Sequence, residues 1–164
     1  MKQNICIIGL AKEYVKNISK KVSDKFDMFY ADVDELVHFD LIDVKRASDI
    51  CGEDYIKKIE YNKASMLATF ENTLFTMQYN LLNNSKIRDV VQENAVIIYL
   101  YLDKESIINK LKRAKTTSAD AMIQTEMFED RDMLCSKYSE IKINCCGKTV
   151  LQTIRAIKEA LLSL

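Results

Sequence analysis

Asn4-Ile5-Cys6-Ile7-Ile8-Gly9-Leu10-Ala11-Lys12-Glu13-Tyr14-Val15-Lys16 is the stretch on which the architecture turns. It opens with an apolar run rich in β-branched residues, the composition of a buried strand, and the run stops at Gly9. Beyond the glycine, Val15, Ile18, Val22 and Phe26 recur at three- or four-residue intervals, the period of a helix face packed on a core. Strand, glycine turn and helix in that order predict the opening βα unit of an α/β domain.

The same order is the setting of a phosphate-binding loop of pattern G-x-x-x-x-G-K-S/T. In that frame Gly9 is the first glycine, and the second falls on Tyr14, the lysine on Val15 and the hydroxyl residue on Lys16. The second glycine lets backbone N–H groups wrap a phosphate, the lysine supplies positive charge, and the hydroxyl holds Mg²⁺. Tyr14, Val15 and Lys16 supply none of these in the usual way. Lys12 and Lys16 are the cations left to approach a phosphate, at a helix N-terminus that attracts anions weakly. The simpler alternative, in which Gly9 only closes a structural βα turn, stays open here.

Composition narrows the class. At 164 residues, with 48% apolar and 29% charged side chains, the chain predicts one domain over 1–164 with a full core. Lysine plus arginine and aspartate plus glutamate balance at 24 each, so net charge gives no argument for nucleic acid or a membrane surface, and neither is expected as a partner. No apolar run is long enough to span a bilayer and no signal-peptide core follows Met1, so a cytoplasmic protein is expected. Cys6, Cys51, Cys135, Cys145 and Cys146 lack metal-site spacing, and the single histidine is His38; reduced, mostly buried thiols are expected. Glycine occurs only 3 times, few for a backbone that must approach phosphates closely.

Taken in order, 27–31 predicts a second strand that runs into Asp32-Val33-Asp34-Glu35-Leu36. Carboxylates there stand at a strand's carboxyl end, where open α/β sheets bind ligands. Equally, Asp34 and Glu35 suit the first turn of a helix. One long helix is expected from Ser48, a third strand at Leu74-Phe75-Thr76-Met77, and a helix over 80–92. The unbroken apolar run 95–102 predicts a strand covered on both faces, as in a parallel sheet. A helix from Asp103, a polar basic loop over 113–118, a helix over 121–138 and a short strand at 141–144 follow. Thr149-Val150-Leu151-Gln152 reads as a capping box opening the last helix.

Four stretches, in this order, resemble the shikimate kinase family of small P-loop phosphotransferases. Asn4 to Lys16 stands where the family has its first strand and phosphate loop. Asp32-Val33-Asp34-Glu35-Leu36 resembles D-x-D-E-L/I, which implies Mg²⁺ at Asp32 and a shikimate hydroxyl at Asp34. Gly52-Glu53-Asp54-Tyr55-Ile56-Lys57-Lys58-Ile59-Glu60 resembles G-E-x-x-F-R-x-x-E, with Ile56 for the Phe and Lys57 for the carboxylate-binding Arg. Arg131-Asp132-Met133-Leu134 resembles R-x-P-L, whose Arg also contacts the substrate carboxylate. The resemblance implies a three-layer α/β/α sandwich, P-loop nucleoside-kinase-like, with a parallel sheet in the order 2-3-1-4-5. It also implies ATP and Mg²⁺ as cofactors of an active member.

The departures point the other way. Where the family has a glycine triplet beside the substrate, this chain has Met77-Gln78-Tyr79 after Thr76. The lid is shortened to 113–122; Arg113 matches the arginine before the lid, near the adenine, and only Lys115 stands in for the lid arginine. Phosphoryl transfer rests on positioning and charge neutralisation, so these losses together predict a catalytically degenerate member. Such a chain acts by binding a small anionic polyol such as shikimate, or a protein partner. If it is active, Asp32 and Asp34 are the catalytic carboxylates, Asp34, Lys57 and Arg131 bind substrate, and Gly9, Lys12, Lys16 and Arg113 face the nucleotide. The plainer alternative pairs Lys57 and Arg131 with nearby carboxylates as fold-holding contacts.

Overall fold

The computed structural model describes residues 4–113 and 126–164. Five parallel strands, β1 (Asn4–Ile8), β2 (Phe29–Asp32), β3 (Thr73–Thr76), β4 (Ala95–Tyr101) and β5 (Ile141–Asn144), lie in the order β2-β3-β1-β4-β5. Successive side chains of β1 point to opposite faces, so Ile5 and Ile7 join one core and Cys6 and Ile8 the other. The first core is shared with helices α1 (Lys12–Phe26), α6 (Lys104–Arg113) and α8 (Val150–Leu162), through Ile18, Val22, Ile107 and Ile157. The second packs under α2 (Val33–Leu41), α4 (Glu53–Thr69), α5 (Ser85–Asn94) and α7 (Phe128–Tyr138), through Val33, Leu67, Val91 and Cys135. Both faces of β4 are therefore covered, which is why 95–102 reads as continuous apolar sequence. The three-layer sandwich and the 2-3-1-4-5 order are those expected.

Local chemistry moves several boundaries. The second strand starts at Phe29 because Asp27 closes α1 in the left-handed region, φ 54°, with its N–H bonded to the Ser23 carbonyl. The third starts at Thr73, whose N–H bonds the buried Asn4 side chain, and it ends at Thr76, so Met77 lies beyond the strand. The long helix expected from Ser48 is two, α3 (Val44–Cys51) and α4, parted at Gly52. Gly52 takes φ 84° and ψ 162°, a conformation closed to L side chains, and no helix runs through it. The helix expected over 80–92 is a 3₁₀ turn (Tyr79–Asn83) followed by α5, because the Asn84 side chain accepts the Lys86 and Ile87 N–H groups and starts a new helix. Asp103 caps α6 through Ser106 N–H at 2.7 Å rather than lying inside it. The helix expected over 121–138 is described from Phe128; the loop expected over 113–118, the lid expected over 113–122 and Lys115 lie, beyond Arg113, outside the described residues.

Candidate functional site

β1, β2 and β3 end side by side, with Ile7 paired to Thr76 and Thr76 to Asp32. Their carboxyl ends therefore bring Gly9, Asp32 and Thr76 to one edge of the sheet, where the polarity of the parallel strands leaves a crevice. That crevice is a cavity of about 270 Å³. Lys12 and Lys16 line it from α1, Asp32 and Asp34 from the β2–α2 junction, and Arg131 from α7. Met77, Gln78 and Tyr79 form its wall, as their position after β3 predicts.

The turn after Gly9 is short. α1 begins at Lys12, and Val15 N–H already bonds the Ala11 carbonyl at 3.0 Å, so Tyr14, Val15 and Lys16 are helical residues. Val15 is 4% exposed and belongs to the α1–α6–α8 core. A Cβ on Gly9 would lie 2.6 Å from Val15 Cγ2 and 3.0 Å from the Leu100 carbonyl oxygen. Gly9 is thus needed for the close approach of α1 to β1 and β4. Tyr14 turns away from the cavity: its hydroxyl lies 3.3 Å from Thr153 Oγ1 on α8, and Lys110 of α6 sits 4.3 Å above its ring. Burial pushes the Tyr14 phenol up to about 12.

Lys12 and Lys16, one helical turn apart, share the face of α1 that looks onto β2 and α2. Lys12 Nζ lies 3.5 Å from Asp34 Oδ2. Lys16 Nζ lies 2.8 Å from Glu35 Oε1 and 3.5 Å from Asp32 Oδ1. Burial works against the Lys16 charge, but the hydrogen bond to Glu35 and the charges of Asp32 and Glu35 outweigh it and raise its pKa. Asp32 is buried; its Oδ1 accepts the Glu35 N–H at 2.9 Å as the cap of α2, and its Oδ2 accepts the Thr76 hydroxyl at 2.5 Å. Tyr30 extends this chain, its hydroxyl 3.1 Å from Thr76 Oγ1. Asp34 is held above the usual carboxylate range, chiefly by burial, against the opposing pull of Lys12.

Arg131 stands over the Tyr79 ring, 5.8 Å from its centroid. Beside it Asp132 accepts from Tyr99 Oη at 3.0 Å and Lys142 Nζ at 2.9 Å, which ties α7 to β4 and β5 and fixes Arg131 on the rim. The structure thus brings together Gly9, Lys12, Lys16, Asp32, Asp34 and Arg131. Lys57 is not among them. It lines a separate cavity of about 790 Å³ beside α2, α3 and α4, with His38 and Glu60. Glu60 lies electrically between the two cavities: burial and the Asp34 charge raise its pKa while Lys57 opposes them. Arg113 ends α6, exposed, and lines neither cavity.

Sequence reasoning missed Glu35 and Thr76 as site residues. Glu35 carried a signal, since Asp32-x-x-Glu35 has the spacing of a helix cap and its third residue. Nothing in the sequence paired Glu35 with Lys16, because that contact depends on how α1 lies across the end of β2.

A parallel 2-3-1-4-5 sheet between two helical layers, with a charged crevice at its carboxyl edge, defines the class of small-molecule kinase folds. Within it the chain belongs to the shikimate kinase family, whose model matches residues 16–162. The match begins at Lys16 and leaves β1, Gly9, Tyr14 and Val15 outside it. A shikimate kinase of Sulfurihydrogenibium sp. is 21% identical over 160 residues, 94% of this chain and 95% of the relative. One from Caldicellulosiruptor bescii is 24% identical over 111 residues, 67% of this chain and 64% of the relative. The solved shikimate kinase of Acinetobacter baumannii, in complex with shikimate, superposes with a TM-score of 0.81 at 14% identity, over 99% of this chain and 94% of that one. Among the described residues, no helix is long and apolar enough to cross a membrane.

Proposed function

We propose that this chain is a member of the shikimate kinase family that binds a small anionic polyol and no longer transfers phosphate. One observation carries the reading. Val15, at the position of the motif lysine, is a core residue wedged against Gly9, so α1 presents a methyl group where a β- or γ-phosphate needs a charge. Tyr14, at the second glycine, is tied to α8 and α6. A loop with room for phosphates does not form between Gly9 and Lys12. ATP and Mg²⁺, the cofactors that family membership implies, do not fit the residues present.

What remains suits a hydroxylated acid. Arg131 on the rim can face a carboxylate, and Asp34 and Gln78 can take hydroxyl groups. The cavity, about 270 Å³, is at the small end of ligand pockets. Shikimate is the probe of choice, and we read the setting as cytoplasmic, where the free cysteines stay reduced. The test is a melting curve with shikimate, with ATP–Mg²⁺ and with both, beside a coupled ADP assay. Stabilisation by shikimate alone without ADP formation is the expected result. Turnover within about a factor of 100 of an ordinary rate of ~10 s⁻¹ overturns it.

A second reading has one observation in its favour: Lys12 and Lys16 both line the cavity. In it the chain is an active kinase with an atypical phosphate site, Asp32 and Asp34 the catalytic carboxylates. Calorimetric titration with ATP–Mg²⁺ separates the two. A dissociation constant in the low micromolar range favours the active kinase, and no measurable heat favours the binding protein.

A further inference from the structure

We propose that the Lys16 ammonium is a covalently tethered substitute for the divalent cation, so that the pocket rejects Mg²⁺. The position that resembles the cation-holding hydroxyl of the family is here the origin of the ammonium itself. Lys16 reaches from α1 to the two carboxylates at the β2–α2 junction, 2.8 Å from Glu35 Oε1 and 3.5 Å from Asp32 Oδ1.

Asp32 shows why a cation must be there. Its side chain is 2% exposed, and a buried carboxylate without a counter-ion is costly. Neutral donors satisfy part of it, the Glu35 N–H on Oδ1 and the Thr76 hydroxyl on Oδ2. The remaining charge is met by Lys16, whose own side chain is only 13% exposed. Each Asp32 oxygen thus accepts one neutral donor, and the cation's place beside Oδ1 is taken by the Lys16 ammonium.

Mg²⁺ needs oxygen ligands in a near-octahedral shell at about 2.0–2.1 Å. To enter, it would have to displace the ammonium, or sit beside it and beside Lys12, which holds Asp34 on the same face. Lys12 and Lys16 between them offset most of the negative charge of Asp32, Asp34 and Glu35, which leaves little net attraction for a doubly charged ion. Among the described residues there is also no group of three or more His, Cys, Asp or Glu side chains placed to hold a metal ion. The consequence is that ligand binding in this pocket is independent of divalent cations. A further one is that removing the ammonium frees Asp32 and Glu35 as a latent metal site.

The test needs no nucleotide, so its outcome is separate from whether phosphate is transferred. Amide spectra of the ¹⁵N-labelled protein are recorded with Mn²⁺ up to about 1 mM, the weak end of biological cation sites. In the wild type, no selective paramagnetic broadening is expected at residues 32–35. In Lys16→Ser, broadening is expected there, and Mg²⁺ in about tenfold excess over its dissociation constant should raise Tm by a few degrees. Selective broadening in the wild type overturns the proposal, as does a folded Lys16→Ser protein with neither effect. If Lys16→Ser does not fold, Lys16→Gln replaces it, and the wild-type spectrum decides by itself.

Discussion

Gly9 and Val15 touch so closely that a Cβ on the glycine would lie 2.6 Å from Val15 Cγ2. Real Cβ contacts are not that short, and the Leu100 carbonyl at 3.0 Å closes the other side. Gly9→Ala should therefore destabilise the fold by about 1–3 kcal/mol through overpacking. In the double variant with Val15→Ala the two costs should fall short of additive, because the smaller residue removes the worst contact. Denaturant unfolding of the four proteins of the cycle measures this. Full additivity would mean that Gly9 serves the backbone and not the packing.

Tyr14 joins α1 to α8 and α6. Tyr14→Phe keeps the ring under Lys110 and loses the hydroxyl's contacts with Thr153 and Cys145, for a cost of about 1 kcal/mol. Tyr14→Ala also loses the half-buried ring and should cost about 2 kcal/mol. Thermal melts of both variants give the ranking. If Phe costs as much as Ala, the hydroxyl and not the ring holds the helices together.

Ser19 lies on the buried face of α1, and among the described residues its Oγ is the buried side-chain polar atom that lacks a hydrogen-bond partner. Ser19→Ala removes that unpaired group and gains helix propensity. It should stabilise the protein by about 0.5–1.5 kcal/mol, read as a higher urea midpoint at unchanged slope. A lower midpoint would show that the hydroxyl is satisfied in solution.

Glu60 sets a pH dependence. Burial, then the Asp34 charge, raise its pKa above the ordinary 4.5. The folded state therefore holds the proton more tightly than the unfolded one. Its contribution is present in full below 4.5 and is lost as pH rises through the raised value. Glu60→Gln, neutral throughout, should gain Tm relative to wild type between about pH 4 and pH 7. A relative gain that shrinks with pH would show that Lys57 outweighs burial.

Local sequence determined the elements and their order. The run 95–102, the β-branched Asn4–Ile8 and the Thr149–Gln152 box each act through neighbours a few residues away, and the box forms with both of its bonds present. The sheet order followed from the resemblance, carried by motifs spaced along the whole chain. Breaks at Gly52 and Asn84 were also local, though overlooked, because helical periodicity continues on both sides of them. The site was legible in its residue types and not in its pairings. Lys16 with Glu35, Tyr14 with Thr153 and Asp32 with Thr76 are 19, 139 and 44 residues apart. The helical period already placed Val15 on the core face. Only the packing of α1 against the carboxyl ends of the strands decided that it is wedged against Gly9 and that Lys16 is a counter-ion. The reason is physical: a lysine's sequence neighbours say that it is charged, but the nearest buried carboxylate, which only the folded sheet supplies, says what that charge is for.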